Sequence, residues 1–331
     1  MREFSLLQHV YASNPSLDRR VLIPPGDDMA MVALSAASGG RTGSGCVLAA
    51  VDQLVAGRHF DASVTPVELV GRKAVARSLS DVAAMAARPL CTLAAVTLPP
   101  EYGEPNATRL FDAMRRTAEQ FECPLVGGDI AFHPRGGLPL VCSVTVLAEP
   151  IDEAHPPVTR RGAQPGDGVY VTGTVGGSLG ADRLGKHLTF DPRINEAIEI
   201  RLALGDRLHA MLDISDGLGR DAAHLVEGAD LTIEIEVSRI PLTPGRAWRE
   251  ALSDGEDYEL CFTAAGQAPG RVRNLPVTRV GRVVRGGGCE AGRAIAITPS
   301  GERVDISVAG WEHADADRVD RSSRDERGDG S

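Results

Sequence analysis

Thr65-Pro-Val-Glu-Leu-Val-Gly-Arg-Lys-Ala-Val-Ala-Arg-Ser-Leu-Ser-Asp-Val-Ala-Ala-Met-Ala-Ala-Arg-Pro-Leu-Cys-Thr-Leu-Ala-Ala-Val-Thr-Leu98 holds two patterns in sequence. Leu69, Ala74, Val75, Leu79, Val82, Ala83 and Ala86 recur at spacings of three and four, the signature of an amphipathic helix. Pro89 stops that helix, and residues 91–98 read as a strand. Upstream, residues 29–34 and 46–51 read as strands, the second ending at Asp52, with a polar loop at 41–45 and a short helix over 1 to about 20 carrying Phe4, Leu6, Leu7 and Val10. Downstream come a helix at 105–121, a brief strand at 124–126 before Gly127-Gly128-Asp129, and a long strand at 138–147. The alternation predicts an α/β (α+β) domain over residues 1–150.

A basic, proline-bearing linker at 158–166 opens a second α/β domain, expected over 151–313. Its expected strands are 168–172, 231–237, 258–263 and 277–284; its expected helices are 178–187, 194–204 and 221–226. Residues 314–331 are almost free of apolar side chains and rich in Asp and Arg, the composition of a disordered acidic tail.

The 331 residues carry a net charge of −10, which argues against nucleic acid or an anionic membrane as partner. No apolar run reaches membrane-spanning length and no signal peptide is evident. The six cysteines are scattered, without a C-x-x-C pair, so a reducing, cytoplasmic setting is expected and the sequon Asn106-Ala107-Thr108 is idle there. Lysine occurs only at Lys73 and Lys186.

Acidic clusters punctuate the chain beside glycine or at the ends of apolar runs: Gly26-Asp27-Asp28, Val51-Asp52-Gln53, Leu79-Ser80-Asp81, Gly127-Gly128-Asp129, Asp213-Ile214-Ser215-Asp216-Gly217 and Gly255-Glu256-Asp257. Any one of them alone reads as a surface turn. Six together repel one another unless compensated, and Mg²⁺, a hard cation with a preference for oxygen, compensates carboxylates and bridges to phosphate. Asp81, late on its helix, faces the negative end of the helix dipole, where a carboxylate is disfavoured without a cation. A phosphate loop is absent: Gly180-Ala-Asp-Arg-Leu-Gly-Lys-His187 lacks the final Ser or Thr, and its glycines fall in the stretch expected to be helical.

These clusters, with Leu54-Val-Ala-Gly-Arg-His-Phe60, Lys73-Ala-Val75, Val82-Ala-Ala-Met85 and Gly255-Glu-Asp-Tyr-Glu-Leu-Cys-Phe262, resemble the thiamine-monophosphate kinase family, in order, over about residues 3–313. That family shares a superfamily with aminoimidazole ribonucleotide synthetase and selenophosphate synthetase. The resemblance implies a synthetase-like two-domain fold, ATP as co-substrate, several Mg²⁺ ions, thiamine monophosphate as acceptor, and a homodimer paired through its N-terminal sheets. It implies metal ligands at Asp28, Asp52, Asp81, Asp129, Asp213 and Asp216, of which Asp81, Asp213 and Asp216 would carry catalysis. ATP contacts fall on Gly128, Arg160 and Ser215, and acceptor contacts on His59, Glu256 and Trp311. Each has a plainer reading: a turn glycine, a solvated arginine that Arg161 could replace, a helix N-cap, a packed histidine, a turn carboxylate and a tryptophan capping the core. Ala50-Val51 stands where the family commonly has Ser-Thr, leaving the Val51 carbonyl as the substitute ligand, and Gln53 replaces a usual Thr. Other ATP-dependent synthetases of the superfamily, a metal-dependent phosphatase and a non-catalytic metal-binding protein are the competing readings. The first Cys, Cys46, lies inside an apparent strand and not in a Gly-rich segment, which disfavours selenophosphate chemistry.

Overall fold

The structure, a computed structural model, describes residues 17–34 and 45–310. The expected helix at 1 to about 20 falls almost wholly outside these residues; Trp311 and the tail fall outside entirely, as does most of the 41–45 loop.

The first sheet has six strands, β1 (Val21–Ile23), β2 (Ala30–Ala33), β3 (Cys46–Val55), β4 (Arg88–Leu98), β5 (Leu125–Phe132) and β6 (Val141–Glu149), in the order β1-β2-β3-β6-β4-β5. Helix α1 (Val67–Ala84) links β3 to β4, and α2 (Glu104–Gln120) links β4 to its parallel neighbour β5. Parallel strands need such crossovers, so the strand–helix alternation in the sequence is fulfilled here. Along β6 burial alternates strictly, the mark of a sheet with one covered and one open face. α1 and α2 pack closely because Gly71 leaves room: a Cβ there would sit 2.6 Å from the Leu110 carbonyl oxygen.

The second sheet runs β14 (Arg303–Asp305), β13 (Arg293–Ile297), β9 (Leu231–Glu236), β12 (Leu275–Arg285), β7 (Gly168–Thr172), β10 (Leu260–Ala264), β8 (Leu208–Asp213), with β11 (Arg271–Val272) paired to β12. β7 is buried along its whole length. Its Val169 and Val171 join the apolar cluster that includes Leu218 and Ala222 of α4 (Leu218–His224) and Ala251 of α5 (Trp248–Ser253). Its Tyr170 faces the other way, into a cluster with Ile200 of α3 (Ile194–Leu204) and Leu79 of α1. One apolar core therefore runs from the first sheet through α1 to the second, and α1 lies where the two halves meet.

Several expectations need correction. Residues 178–187 form turns ending in a 3₁₀ turn at Lys186–Leu188, not a helix, because Gly180 sits at φ +67 and a Cβ on Gly185 would lie 2.1 Å from the Ser178 carbonyl oxygen. Asp52 does not end its strand; β3 continues to Val55. Gly127-Gly128-Asp129 is no turn but the middle of β5, and Gly128 is required because a Cβ would sit 1.8 Å from the Ala94 carbonyl oxygen of β4. The elements β1, β8, α5, β11, β13 and β14 have no counterpart in the sequence reading.

Gly71→Ala should force α1 and α2 apart. Overpacking of this kind costs about 1–3 kcal/mol, read as a lowered melting temperature with the circular dichroism spectrum preserved.

Candidate functional site

α1 carries Lys73, Arg77, Ser80 and Asp81 on successive turns toward the seam between the halves. From the second half β8 delivers Asp213, whose Oδ2 accepts a 2.6 Å hydrogen bond from the Ser80 hydroxyl. From the first half the turn before β2 delivers Asp28. Carboxylate oxygens of Asp28, Asp81 and Asp213 all lie within 4.8 Å of one another.

Three carboxylates this close are mutually destabilising. Burial, then the charges of Asp52, Asp213 and Asp28, push the Asp81 carboxyl well above its ordinary value. Burial followed by Asp28 raises Asp213 to about 7. No basic residue occupies the last turn of α1, so the helix dipole adds to the negative potential. Asp28 Oδ2 is buried without a hydrogen-bond partner, and Arg160 engages only Oδ1. An orphaned carboxylate oxygen beside two other carboxylates is the donor set of a hard divalent cation, and Mg²⁺ fits it.

Arg160, not Arg161, faces this group, and its backbone N–H donates to Asp27 Oδ1 at 3.1 Å. Asp27 is thus a lace between the halves and its neighbour Asp28 is the candidate ligand. Asp52 lies on the helix-facing side of β3, 3.4 Å from the Arg77 guanidinium. Asp216 follows in the turn after β8. The Asp221 carboxylate organises that turn by accepting the backbone N–H groups of Ser215, Asp216 and Gly217 at 3.0, 2.9 and 3.1 Å. Ser215 is not an N-cap; Gly217 holds that position without a side-chain bond.

Beside the carboxylates opens a pocket lined by Arg58, His59, Arg77, Ser215, Asp216 and Glu256, among others. His59 Nδ1 accepts the Val55 N–H at 2.9 Å, which leaves its proton on Nε2. Glu256 does more than end a turn: its Oε1 lies 2.7 Å from the ammonium of Lys73, which is wholly buried. Burial works to raise the Glu256 carboxyl, but the charge and hydrogen bond of the Lys73 ammonium keep it well below its ordinary value.

Asp129 stands apart from the three-carboxylate group. Asp129 is exposed on β5 opposite Ala95, in a row that continues through Ser143 to Gln53. Three strand spacings, about 14 Å, separate it from β3. Val51 is mid-strand opposite Thr145, with its side chain 63% exposed. Lys186, the lysine of the failed phosphate loop, is bound to Glu259 at 2.8 Å.

Sequence reasoning missed Ser80, Arg77, Asp221 and His187 as site residues. Ser80 adjoins Asp81 and Asp221 follows the Asp-rich turn on the next helix, so their proximity was visible and their bonds were not.

The chain's N-terminal part, residues 26–149, matches the family model described as AIR synthase related protein, N-terminal domain. The first half of the molecule thus falls in the AIR synthase-related class. The thiamine-monophosphate kinase of Rhodopirellula baltica is 33% identical over 251 residues, 72% of this chain and 75% of the relative. That of Escherichia coli (strain K12) is 34% identical over 286 residues, 79% and 82% of the two chains. A solved structure, AaThiL complexed with AMPPCP and TMP, superposes with a TM-score of 0.74 at 29% identity, covering 95% of this chain and 97% of that one. The chain belongs to the thiamine-monophosphate kinase family, and it is a kinase.

The raised Asp213 value has a stability consequence. Metal-free folded protein keeps a proton that the unfolded chain has already lost, so this group's contribution falls as pH rises from 3.8 to about 7. In EDTA, Asp213→Asn should melt above wild type at pH 8, with the gap closing toward pH 4. A gap independent of pH in thermal melts would refute the buried, proton-retaining Asp213.

Proposed function

We propose that the chain transfers the γ-phosphoryl of ATP to the phosphate of thiamine monophosphate, giving thiamine diphosphate and ADP. An acceptor phosphate oxygen forms the new bond to Pγ while the bond from Pγ to the β,γ-bridging oxygen breaks, with no covalent phosphoenzyme. The observation that carries this reading is the three-carboxylate group at the seam, opening onto the pocket of His59 and Glu256. A relative of like fold holds AMPPCP and TMP, an ATP analogue and an acceptor.

Asp28, Asp81 and Asp213 would hold Mg²⁺, with Asp52, Asp216 and the Val51 carbonyl completing a larger set, and Asp129, on the open face of the sheet, stands outside it. Magnesium held there would neutralise the charge of the phosphates. Ser80 orients Asp213, and Arg160 holds Asp28 and meets ATP together with Ser215 and Gly128. His59 and Glu256 receive the acceptor, His59 through its Nε2 proton, and Trp311, which lies outside the described residues, would stack on its cationic ring.

A homodimer accords with the open face of the first sheet, where Val51 is 63% exposed and Leu93 38%. Asp129 lies on that same face, which places it where a second copy would pack. The boundaries 1–150, 151–313 and 314–331 remain the working division of the chain. A cytoplasmic setting agrees with six free cysteines and with the lack, among the described residues, of any helix long and apolar enough to cross a membrane.

The test is a coupled assay of the purified protein with ATP, Mg²⁺ and thiamine monophosphate, unphosphorylated thiamine serving as control. Thiamine diphosphate should form one-for-one with ADP; free phosphate alone would mark a phosphatase. Asp81→Asn should lower kcat by about a hundredfold or more, as expected for a lost metal ligand, with an unchanged circular dichroism spectrum. His59→Ala should raise KM for thiamine monophosphate and leave KM for ATP nearly unchanged; equal shifts in both would move His59 off the acceptor side.

A further inference from the structure

Lys73 has no part in the chemistry above, yet it is the largest fully buried side chain of the described residues. Its ammonium donates to the His59 carbonyl oxygen at 2.6 Å and to Glu256 Oε1 at 2.7 Å, and meets His187 Nδ1 at 2.8 Å. An ammonium has three protons, so its donor capacity is filled. His187 Nε2 in turn reaches the Arg183 carbonyl at 3.1 Å, which makes Nε2 the protonated nitrogen and Nδ1 the acceptor.

The three acceptors come from three segments remote in sequence: the loop after β3, the 3₁₀ turn at Lys186–Leu188 and the loop before β10. Two of them, His59 and Glu256, line the pocket, and His187 lies behind it. The loop before β10 needs outside support, because Glu256 and Tyr258, neither a glycine, sit at φ +54 and +51. Such conformations persist only where the surroundings over-determine them. Asp257, bonded to the Gly176 N–H and the Ser178 hydroxyl, and Tyr258, stacked on Phe190, anchor the far side of this loop. On the near side the Glu256 backbone N–H donates to the Ser215 carbonyl at 2.7 Å, and the Glu256 side chain is held by Lys73. Burial drives the Lys73 ammonium down to about 8, so the site tolerates a costly charge that a neutral side chain would avoid.

We propose that Lys73 is a positioning residue for the acceptor: one buried ammonium holds His59 and Glu256 at the separation that receives thiamine monophosphate. The inference rests on the acceptor assignment made above, and it extends to Lys73 a role that acts through two other side chains.

Lys73→Met and Lys73→Arg, in the full chain, are compared with wild type in steady-state kinetics and in amide hydrogen exchange. Lys73→Met should raise KM for thiamine monophosphate about tenfold or more while KM for ATP stays within about twofold, a split that general destabilisation does not give. Exchange should quicken at residues 55–60 and 255–259 and stay unchanged in β9, at 231–236, and Lys73→Arg should recover part of both effects. Should Lys73→Met not fold, His187→Leu takes one acceptor from the ammonium without touching the pocket and should raise the same KM about threefold. Wild-type KM for thiamine monophosphate and wild-type exchange in both loops, in whichever variant folds, overturn the proposal. If wild-type protein fails to phosphorylate thiamine monophosphate, the acceptor assignment falls, and the exchange pattern alone decides whether Lys73 holds the two loops.

Discussion

Mutual repulsion among Asp28, Asp81 and Asp213 is the constraint around which the seam is organised. Two of these carboxylates belong to the first half and one to the second, so bringing the halves together creates the repulsion. The apolar core that runs from the first sheet through α1 into the second sheet offsets it. Ser80, Arg160 and Asp27 then fix orientation across the same junction. Folding thus stores a site with high affinity for positive charge at the seam between the halves, consistent with the rule that functional centres keep electrostatic strain that the rest of the fold sustains.

Around that centre the acidic side chains divide into ligands and scaffold. Of the Gly255-Glu-Asp-Tyr-Glu-Leu260 segment, Glu256 binds Lys73 and Asp257 secures the Gly176 turn. Tyr258 stacks on Phe190 at 3.9 Å between centroids. Glu259 is gripped by Arg193, Lys186 and the Thr172 hydroxyl. Each of these four side chains has a partner inside the protein, so the motif shapes the pocket, and Glu256 and Tyr258 reach its wall.

The fold was largely legible because its signals are local. The three-and-four spacing in α1, the Val-Tyr-Val run of β7 and the boundaries of α3 are visible in the chain itself. The turns at 178–187 were misread because what forbids a helix there is a contact, Gly185 against the Ser178 carbonyl, and periodicity carries no contacts. The same limit governs the site. Asp28, Asp81 and Asp213 could be singled out as acidic residues at the ends of apolar runs, and the motif resemblance named them as ligands. Their convergence was not visible, nor was the separation of Asp129 from them, because strand order decides both. Lys73 stood out only by rarity, and its three acceptors lie 14, 114 and 183 residues away in the chain.

Both lysines of the chain are spoken for. Lys73 is sealed against Glu256, and Lys186, 28% exposed at its side chain, is tied to Glu259. The outer surface therefore draws its positive charge from arginine, and beyond the chain's amino terminus it offers acylating reagents almost nothing. Amine-directed dyes, cross-linkers and enzymatic acetylation, which on most proteins decorate the exterior at random, would here report on the interior: modification at Lys73 demands that the seam first come open.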